Sequence, residues 1–221
     1  MLESFLNFIY GDEVGKVYVP TKKEDGTWSK ANFLWPAQKA KIISHIKEQA
    51  PVGDVYVSPS LFKGNVVTKD GFKSSSVVWV DLDGNYDGNF HGLPQPNLIV
   101  QSSKGTNVHC YWKLDQVETD PTALELINRR LAVHLSADPS GWDCTQLLRP
   151  PETTNHKHGL PVETKRLVFS PTARSEFDFL ENITFNEVTY ADIEWEDAPA
   201  LLKVYPSLNG FCGWLRTRLH L

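Results

Sequence analysis

The chain has 221 residues, 41% hydrophobic and 11% aromatic, enough to bury a substantial core in one large domain or two small ones. No stretch approaches the length of a transmembrane helix, and the start Met1-Leu2-Glu3-Ser4-Phe5 lacks the basic opening and small-residue cleavage site of a signal peptide. Net charge is −5, but residues 175–202 hold eight acids and no base while 203–221 hold three bases and no acid; with these set aside, residues 1–174 are neutral, with 19 of each. A neutral body permits a nucleic-acid partner without demonstrating one. Cys110, Cys144 and Cys212 stand far apart with no Cys-x-x-Cys, which argues for a reducing, cytoplasmic compartment and against a disulfide frame or a zinc knuckle.

Leu2, Phe5, Leu6 and Ile9 recur at helical spacing and predict a short amphipathic helix over 1–12. A strand is expected over 16–19 and a hairpin loop around Asp25-Gly26. Pro36 suits the first turn of a helix running to Gln49, with Ile42, Ile43 and Ile46 as its buried stripe. Residues 54–58 read as a strand, followed by a basic loop over 63–73.

Val77-Val78-Trp79-Val80-Asp81-Leu82-Asp83-Gly84 reads as a buried strand ending in two carboxylates. Side chains two apart on a strand share a face, so Asp81 and Asp83 are expected side by side. Like charges held that close repel unless a cation or proton sits between them, and oxygen ligands on a strand suit Mg²⁺ or Mn²⁺. The plainer reading is a solvated strand end entering a Gly-rich loop.

Residues 97–103 and 108–114 predict a β-hairpin closed by Lys104-Gly105-Thr106-Asn107. Ser103, Lys104, Asn107 and the turn amides resemble an anion cradle, with His109 in reach of the same phosphates as a cation or donor. An ordinary hairpin turn fits the same composition. Asp120-Pro121 opens a helix to about Ser136, Asp138-Pro139-Ser140-Gly141 is a turn, and 147–158 is a Pro-rich irregular stretch. Two clusters follow in it: Asp143 beside Trp142 and ahead of Arg149, then Arg149-Pro150-Pro151-Glu152-Thr153-Thr154-Asn155-His156-Lys157-His158. Stiff backbone with clustered donors suits a polyanion. His156-Lys157-His158 is a poor metal site because a cation sits between the histidines. A strand over 165–169, the acidic segment and a helix over 210–221 complete the chain. These elements predict an α+β fold around a mostly antiparallel sheet with flanking helices, organised as a flank (1–50), a core (51–175) and an acidic and helical tail (176–221) that links to a further region.

Taken in order, Trp-Val-Asp-Leu-Asp-Gly, Ser-Ser-Lys-Gly-Thr-Asn-Val-His-Cys-Tyr-Trp and Asp-Cys-Thr-Gln-Leu-Leu-Arg-Pro-Pro-Glu-Thr-Thr-Asn-His-Lys resemble the archaeo-eukaryotic primase superfamily, in its primase–polymerase branch of phages, plasmids and mobile elements. The resemblance spans about residues 54–170. It implies an RRM-like catalytic core performing template-directed nucleotidyl transfer on single-stranded DNA, with dNTPs or NTPs as substrates, two Mg²⁺ or Mn²⁺ ions, and a replicative helicase as a partner in cis or trans. It implies metal ligation by Asp81, Asp83 and Asp143, with Asp138 the competitor for the third position and set aside as a turn residue. It implies phosphate or template contacts from His109, Arg149, Asn155 and Lys157. Trp28, Trp35 or Trp142 are candidates to stack on bases, against core packing as the commoner fate. The chain departs from the family where Pro151-Glu152-Thr153 replaces Pro-Gly-Thr. It has no Cys/His cluster for a zinc stem and no helicase motif. A replication-initiator nickase would need a His-hydrophobic-His motif that is missing, and a binding module without activity on the same fold is the remaining alternative.

Overall fold

A computed structural model describes residues 1–84, 86–157 and 161–171, all within one compact unit, Met1–Ile183. The acidic segment and the helix expected over 210–221 lie outside the described residues, as does His158. In chain order the elements are α1 (Leu2–Tyr10), β1 (Gly15–Tyr18), β2 (Thr21–Lys23), β3 (Trp28–Ser29), β4 (Asn32–Trp35), α2 (Lys39–Gln49), β5 (Gly53–Val55), β6 (Leu61–Phe62) and β7 (Phe72–Leu82). They continue with β8 (Leu98–Gln101), β9 (Val108–Glu118), α3 (Pro121–His134), β10 (Thr154–Asn155), β11 (Val162–Glu163) and β12 (Lys165–Phe169). No described helix is long and apolar enough to cross a membrane.

The fold is α+β, as expected. Its main sheet has seven strands in the order β12-β8-β9-β7-β6-β1-β4, with antiparallel pairing throughout. A three-stranded sheet, β3-β2-β5, and a small β10-β11 ribbon accompany it. Residues 1–50 supply strands to both larger sheets: β1 and β4 form one end of the main sheet.

The centre is the long β7–β9 pair. Val77, Trp79 and Asp81 stand opposite Lys113, Tyr111 and His109; Val78, Val80 and Leu82 stand opposite Trp112, Cys110 and Val108. Strand alternation puts the first set on one face and the second on the other. Helix α1 packs on the first face. Its Phe5 meets Tyr111 edge-on at 6.2 Å between centroids, and Lys113 Nζ donates to the Phe8 carbonyl at 2.7 Å near the helix end. Burial pushes the Lys113 ammonium down to about 8.

One local expectation needs adjusting. Helix α2 begins at Lys39, not at Pro36, because Trp35 is held in β4 opposite Gly15, with its indole Nε1 donating to the Gly11 carbonyl at 3.0 Å. The chain therefore turns before it can coil. The region of the Asp25-Gly26 loop is a true hairpin, with Thr21 opposite Ser29 and Lys22 opposite Trp28. The cap on α3 is as read: the Asp120 side chain accepts from the Thr122 amide at 2.8 Å, and Pro121 opens the helix.

Glu152 has φ of 62°, in the left-handed region that favours glycine. The backbone thus keeps a glycine-type conformation although the residue is glutamate. The side chain gives a reason for tolerating it: Oε2 accepts from the Leu2 amide at 2.9 Å, placing a carboxylate at the N-terminus of α1. Glu152→Ala keeps the backbone strain and loses this contact, whereas Glu152→Gly relieves the strain. Urea unfolding is expected to rank the glycine variant above the alanine variant by about 1 kcal/mol. Equal midpoints for the two would contradict the strain assignment.

Candidate active site

Strand β7 ends at Leu82, so Asp81 is the last acid on the strand and Asp83 lies just beyond it. On one side β7 pairs with β9, which fixes Asp81 directly opposite His109. On the other side β6 pairs only as far as Ser74. Past that point no strand among the described residues takes up the edge. Its polar groups are satisfied from α3 and the turn that follows: the Trp79 amide donates to Asn128 Oδ1 at 3.0 Å, and the Asp138 amide donates to the Asp81 carbonyl at 3.0 Å. Asn128 is fully buried and also donates to the Trp142 carbonyl at 3.2 Å, while the Trp79 indole donates to the Gly141 carbonyl at 3.0 Å. The Asp138–Gly141 turn is thereby fastened along β7 beside Asp81.

This brings a further acid to the end of the strand. The negative charges that act on Asp81 are those of Asp83 and Asp138. Asp143, expected as the third acid, has its Oδ1 accepting from the Thr145 amide at 2.9 Å and from the Thr145 hydroxyl, and Asp138 Oδ1 likewise accepts from the Ser140 amide and hydroxyl, each at 2.8 Å. The turn residue Asp138, set aside on sequence grounds, lies beside Asp81, with its amide bonded to the Asp81 carbonyl. Burial first, then Asp83 and Asp138, push the Asp81 carboxyl up to about 7, with Arg149 and Lys157 opposing.

His109 is 3% exposed, with Nε2 3.6 Å from Asp81 Oδ1. That separation is within ion-pair range but too long for a hydrogen bond. Burial, reinforced by the Arg149 charge, pushes the imidazole down to about 3, so it is neutral and no ion pair forms. Of the two forms expected for His109, cation or donor, this environment favours the neutral donor. Its Nδ1 is enclosed and lacks a partner of good hydrogen-bond geometry, although the Arg149 backbone acts on the ring as a hydrogen-bond partner.

The β8–β9 turn lies next to the acids. The Ser102 amide donates to the Asn107 carbonyl at 3.0 Å, and a Cβ on Gly84 would lie 3.9 Å from Asn107 Oδ1. Ser103 is buried; Lys104 is exposed at the tip. Asn155 is a positioning residue. Its Nδ2 donates to the Ser102 carbonyl at 2.8 Å, and its Oδ1 accepts from the Lys157 amide at 2.9 Å, tying the β10 segment to the end of β8. Lys157 itself is exposed.

Arg149 is 8% exposed and held by residues that carried no signal in the sequence. Its Nη2 donates to the Tyr56 hydroxyl at 2.7 Å and lies 3.4 Å from Asp54 Oδ2, and the guanidinium lies 4.7 Å from the Tyr56 ring centre. Asp54 Oδ1 also accepts from the His156 amide at 2.7 Å, and the His156 ring reaches the Ala50 carbonyl. Asp54 and Tyr56 could have been flagged only by knowing that the 54–58 segment passes beside Leu148, where Val57 and Leu148 exchange backbone hydrogen bonds of 2.9 Å.

Among the described residues no group of three His, Cys, Asp or Glu stands ready-made to hold a metal. The donor chemistry nevertheless fits a hard divalent cation: a half-buried carboxylate destabilised by two neighbouring acids has most to gain from one.

No family model matches the chain, and no curated protein matches it. Among solved structures it is similar to the AEP domain of the cyanophage S-2L primase-polymerase, at 13% identity over 83% of this chain and 97% of that one, with a TM-score of 0.60. It is also similar to primase RepB′, at 17% identity over 93% and 68% with a TM-score of 0.62. A third is the catalytic domain of primase RepB′ in complex with initiator DNA, at 14% identity over 94% and 97% with a TM-score of 0.58. The fold is that of a primase catalytic domain, and the motifs of the sequence resemble the same superfamily.

Asp81 carries a pH signature. Its ordinary carboxylate value is 3.8 and its native value about 7, so the native chain holds a proton that the unfolded chain releases between them. The stabilising share of the neutral carboxyl is complete below pH 3.8 and lost as pH rises through 7. Asp81→Asn fixes the neutral form. Without divalent cations it is expected to be more stable than the parent above pH 7 by roughly 2–4 kcal/mol, the gap closing as pH falls toward 4. Urea midpoints that coincide at pH 8 would contradict the assignment.

Proposed function

We propose that this chain is a primase–polymerase of the archaeo-eukaryotic superfamily, transferring nucleotides to a growing strand on a single-stranded DNA template. The observation that carries the reading is the convergence on Asp81 of two further carboxylates, Asp83 and Asp138, and two cations, Arg149 and Lys157. That is the charge pattern a nucleotidyl-transfer site needs. The shared fold with primase catalytic domains supports it.

In the reaction a strand's 3′-hydroxyl oxygen bonds to the α-phosphorus of a nucleoside triphosphate, and the bond to pyrophosphate breaks. Bound Mg²⁺ or Mn²⁺ would supply Lewis-acid stabilisation of the oxygens that gain charge. Asp81, Asp83 and Asp138 would hold the metal; Asp138 is preferred to Asp143 as the third ligand because its amide is bonded to the Asp81 carbonyl and its charge acts on Asp81. Arg149 is fixed by Tyr56 and Asp54, so its positive charge is oriented before substrate arrives and offsets charge on the triphosphate. Exposed Lys157 adds a second, mobile cation. His109, opposite Asp81 on the paired strand, would serve as a neutral donor to a phosphate oxygen. The β8–β9 turn, with Ser103, Lys104 and Asn107, offers amide and side-chain donors to the same phosphates. The chemistry needs no side-chain nucleophile, and positioning and electrostatics carry the rate. A replicative helicase, in cis or in trans, is the partner that would supply single-stranded template.

The test is incorporation of labelled dNTPs or NTPs on an unprimed single-stranded DNA template with Mg²⁺ or Mn²⁺. Products are expected to require template and metal. Asp83→Asn is expected to reduce them by about 10³-fold or more, as for loss of a group that stabilises developing charge, while its fold is retained. Template binding without incorporation would favour a module that only binds DNA, and normal turnover by folded Asp83→Asn would overturn the metal-site reading.

A further inference from the structure

The three tryptophans weighed as stacking residues have different fates. Trp35 is buried in the core, and Trp142 lies against the Arg129 guanidinium at 4.5 Å with its indole donating to the Pro139 carbonyl. Trp28 is 47% exposed on the β2–β3 hairpin. It is the outer member of a row of contacts. Lys22 Nζ lies 5.9 Å from the Trp28 ring centre, the Tyr56 ring centre lies 5.5 Å from that of Trp28 at 39°, and Arg149 lies 4.7 Å beyond on Tyr56.

The backbone holds this row. Strand β2 pairs with β3 on one side and β5 on the other, Tyr56 follows β5 with its amide donating to the Pro20 carbonyl at 3.0 Å, and Val57 is bridged to Leu148 next to Arg149. Trp28 is thus connected by ordered structure to the guanidinium whose charge acts on Asp81.

We infer that Trp28 is a stacking platform for a base of the single strand on which the site acts, with Lys22 beside it for the adjoining phosphate. The inference rests on the proposed function for what the strand is used for, but the binding it claims is separate from catalysis. The chemistry selects nucleic acid over a protein surface. A lone flat ring with Lys22 at its face lacks the contiguous apolar area a protein partner would bury, yet it offers a π-face with a cation beside it. Tyr56 supports the ring, so little order has to be gained on binding.

The experiment uses the full chain and a fluorescein-labelled single-stranded DNA oligonucleotide, read by anisotropy at fixed salt, with circular dichroism to verify folding. Trp28→Ala is expected to weaken binding about tenfold, Trp28→Phe to recover most of it, and Val52→Ala, another exposed apolar site, to leave it unchanged. An oligonucleotide carrying 5-iodouracil is expected to photocrosslink to Trp28, mapped by mass spectrometry. Incorporation assays run alongside separate the two readings. If the parent fails to incorporate nucleotides but the Trp28→Ala loss and the crosslink persist, the functional reading falls and the platform stands. If the parent incorporates but Trp28→Ala binds the strand normally, the platform is overturned. It is equally overturned if Trp28→Ala raises only the KM for the free nucleoside triphosphate, since the ring would then serve the nucleotide.

Discussion

The unpaired edge of β7 is the constraint on which the site depends. A central strand cannot leave buried amides and carbonyls unsatisfied, and beyond Ser74 there is no strand among the described residues to satisfy them on that side. Asn128 takes the Trp79 amide and the Asp138 amide takes the Asp81 carbonyl. The same hydrogen bonds that complete the sheet therefore deliver an acid-bearing turn to the end of the strand that already carries two acids. Fold economy and site assembly are one arrangement here.

The result is an electrostatic imbalance held in place by burial. Asp81 is driven toward its neutral form by desolvation and by Asp83 and Asp138, while His109, its cross-strand neighbour, is driven neutral by burial and by Arg149. Arg149 cannot swing away to relieve the acids directly, because Tyr56 and Asp54 fix its guanidinium. Arg149 is ion-paired with Asp54 rather than with Asp81, Asp83 or Asp138, so the charges of these three acids are left for a divalent cation. The rigidity of the surrounding contacts means that this field is present before anything binds.

Much of this was legible in the sequence because it rested on local pattern. The hairpin over 97–103 and 108–114, the cap at Asp120-Pro121 and the Asp-x-Asp strand end each follow from a few neighbouring residues, and each appears in the structure with its bounds shifted by a few positions. What was not legible rests on long-range juxtaposition. Asp138 sits in a run that reads as a plain turn, and only the open edge of β7, more than fifty positions earlier, gives that turn its place. Asp54, Tyr56 and Asn128 lie in ordinary strand and helix contexts; their roles come from what β5 and α3 pack against. Glu152 is the opposite case: it stands where the superfamily the motifs resemble has glycine, and it adopts the glycine-type conformation all the same.

The central claim is that Asp81, Asp83 and Asp138 form the cation site. The most direct measurement is the shift in thermal unfolding midpoint produced by Mn²⁺ in the parent, Asp138→Asn and Asp143→Asn proteins at pH 8. The account predicts a rise in the parent, a much smaller rise in Asp138→Asn and a parent-like rise in Asp143→Asn, since a ligand that binds only the native state stabilises it by mass action. A response lost in Asp143→Asn and kept in Asp138→Asn would contradict it.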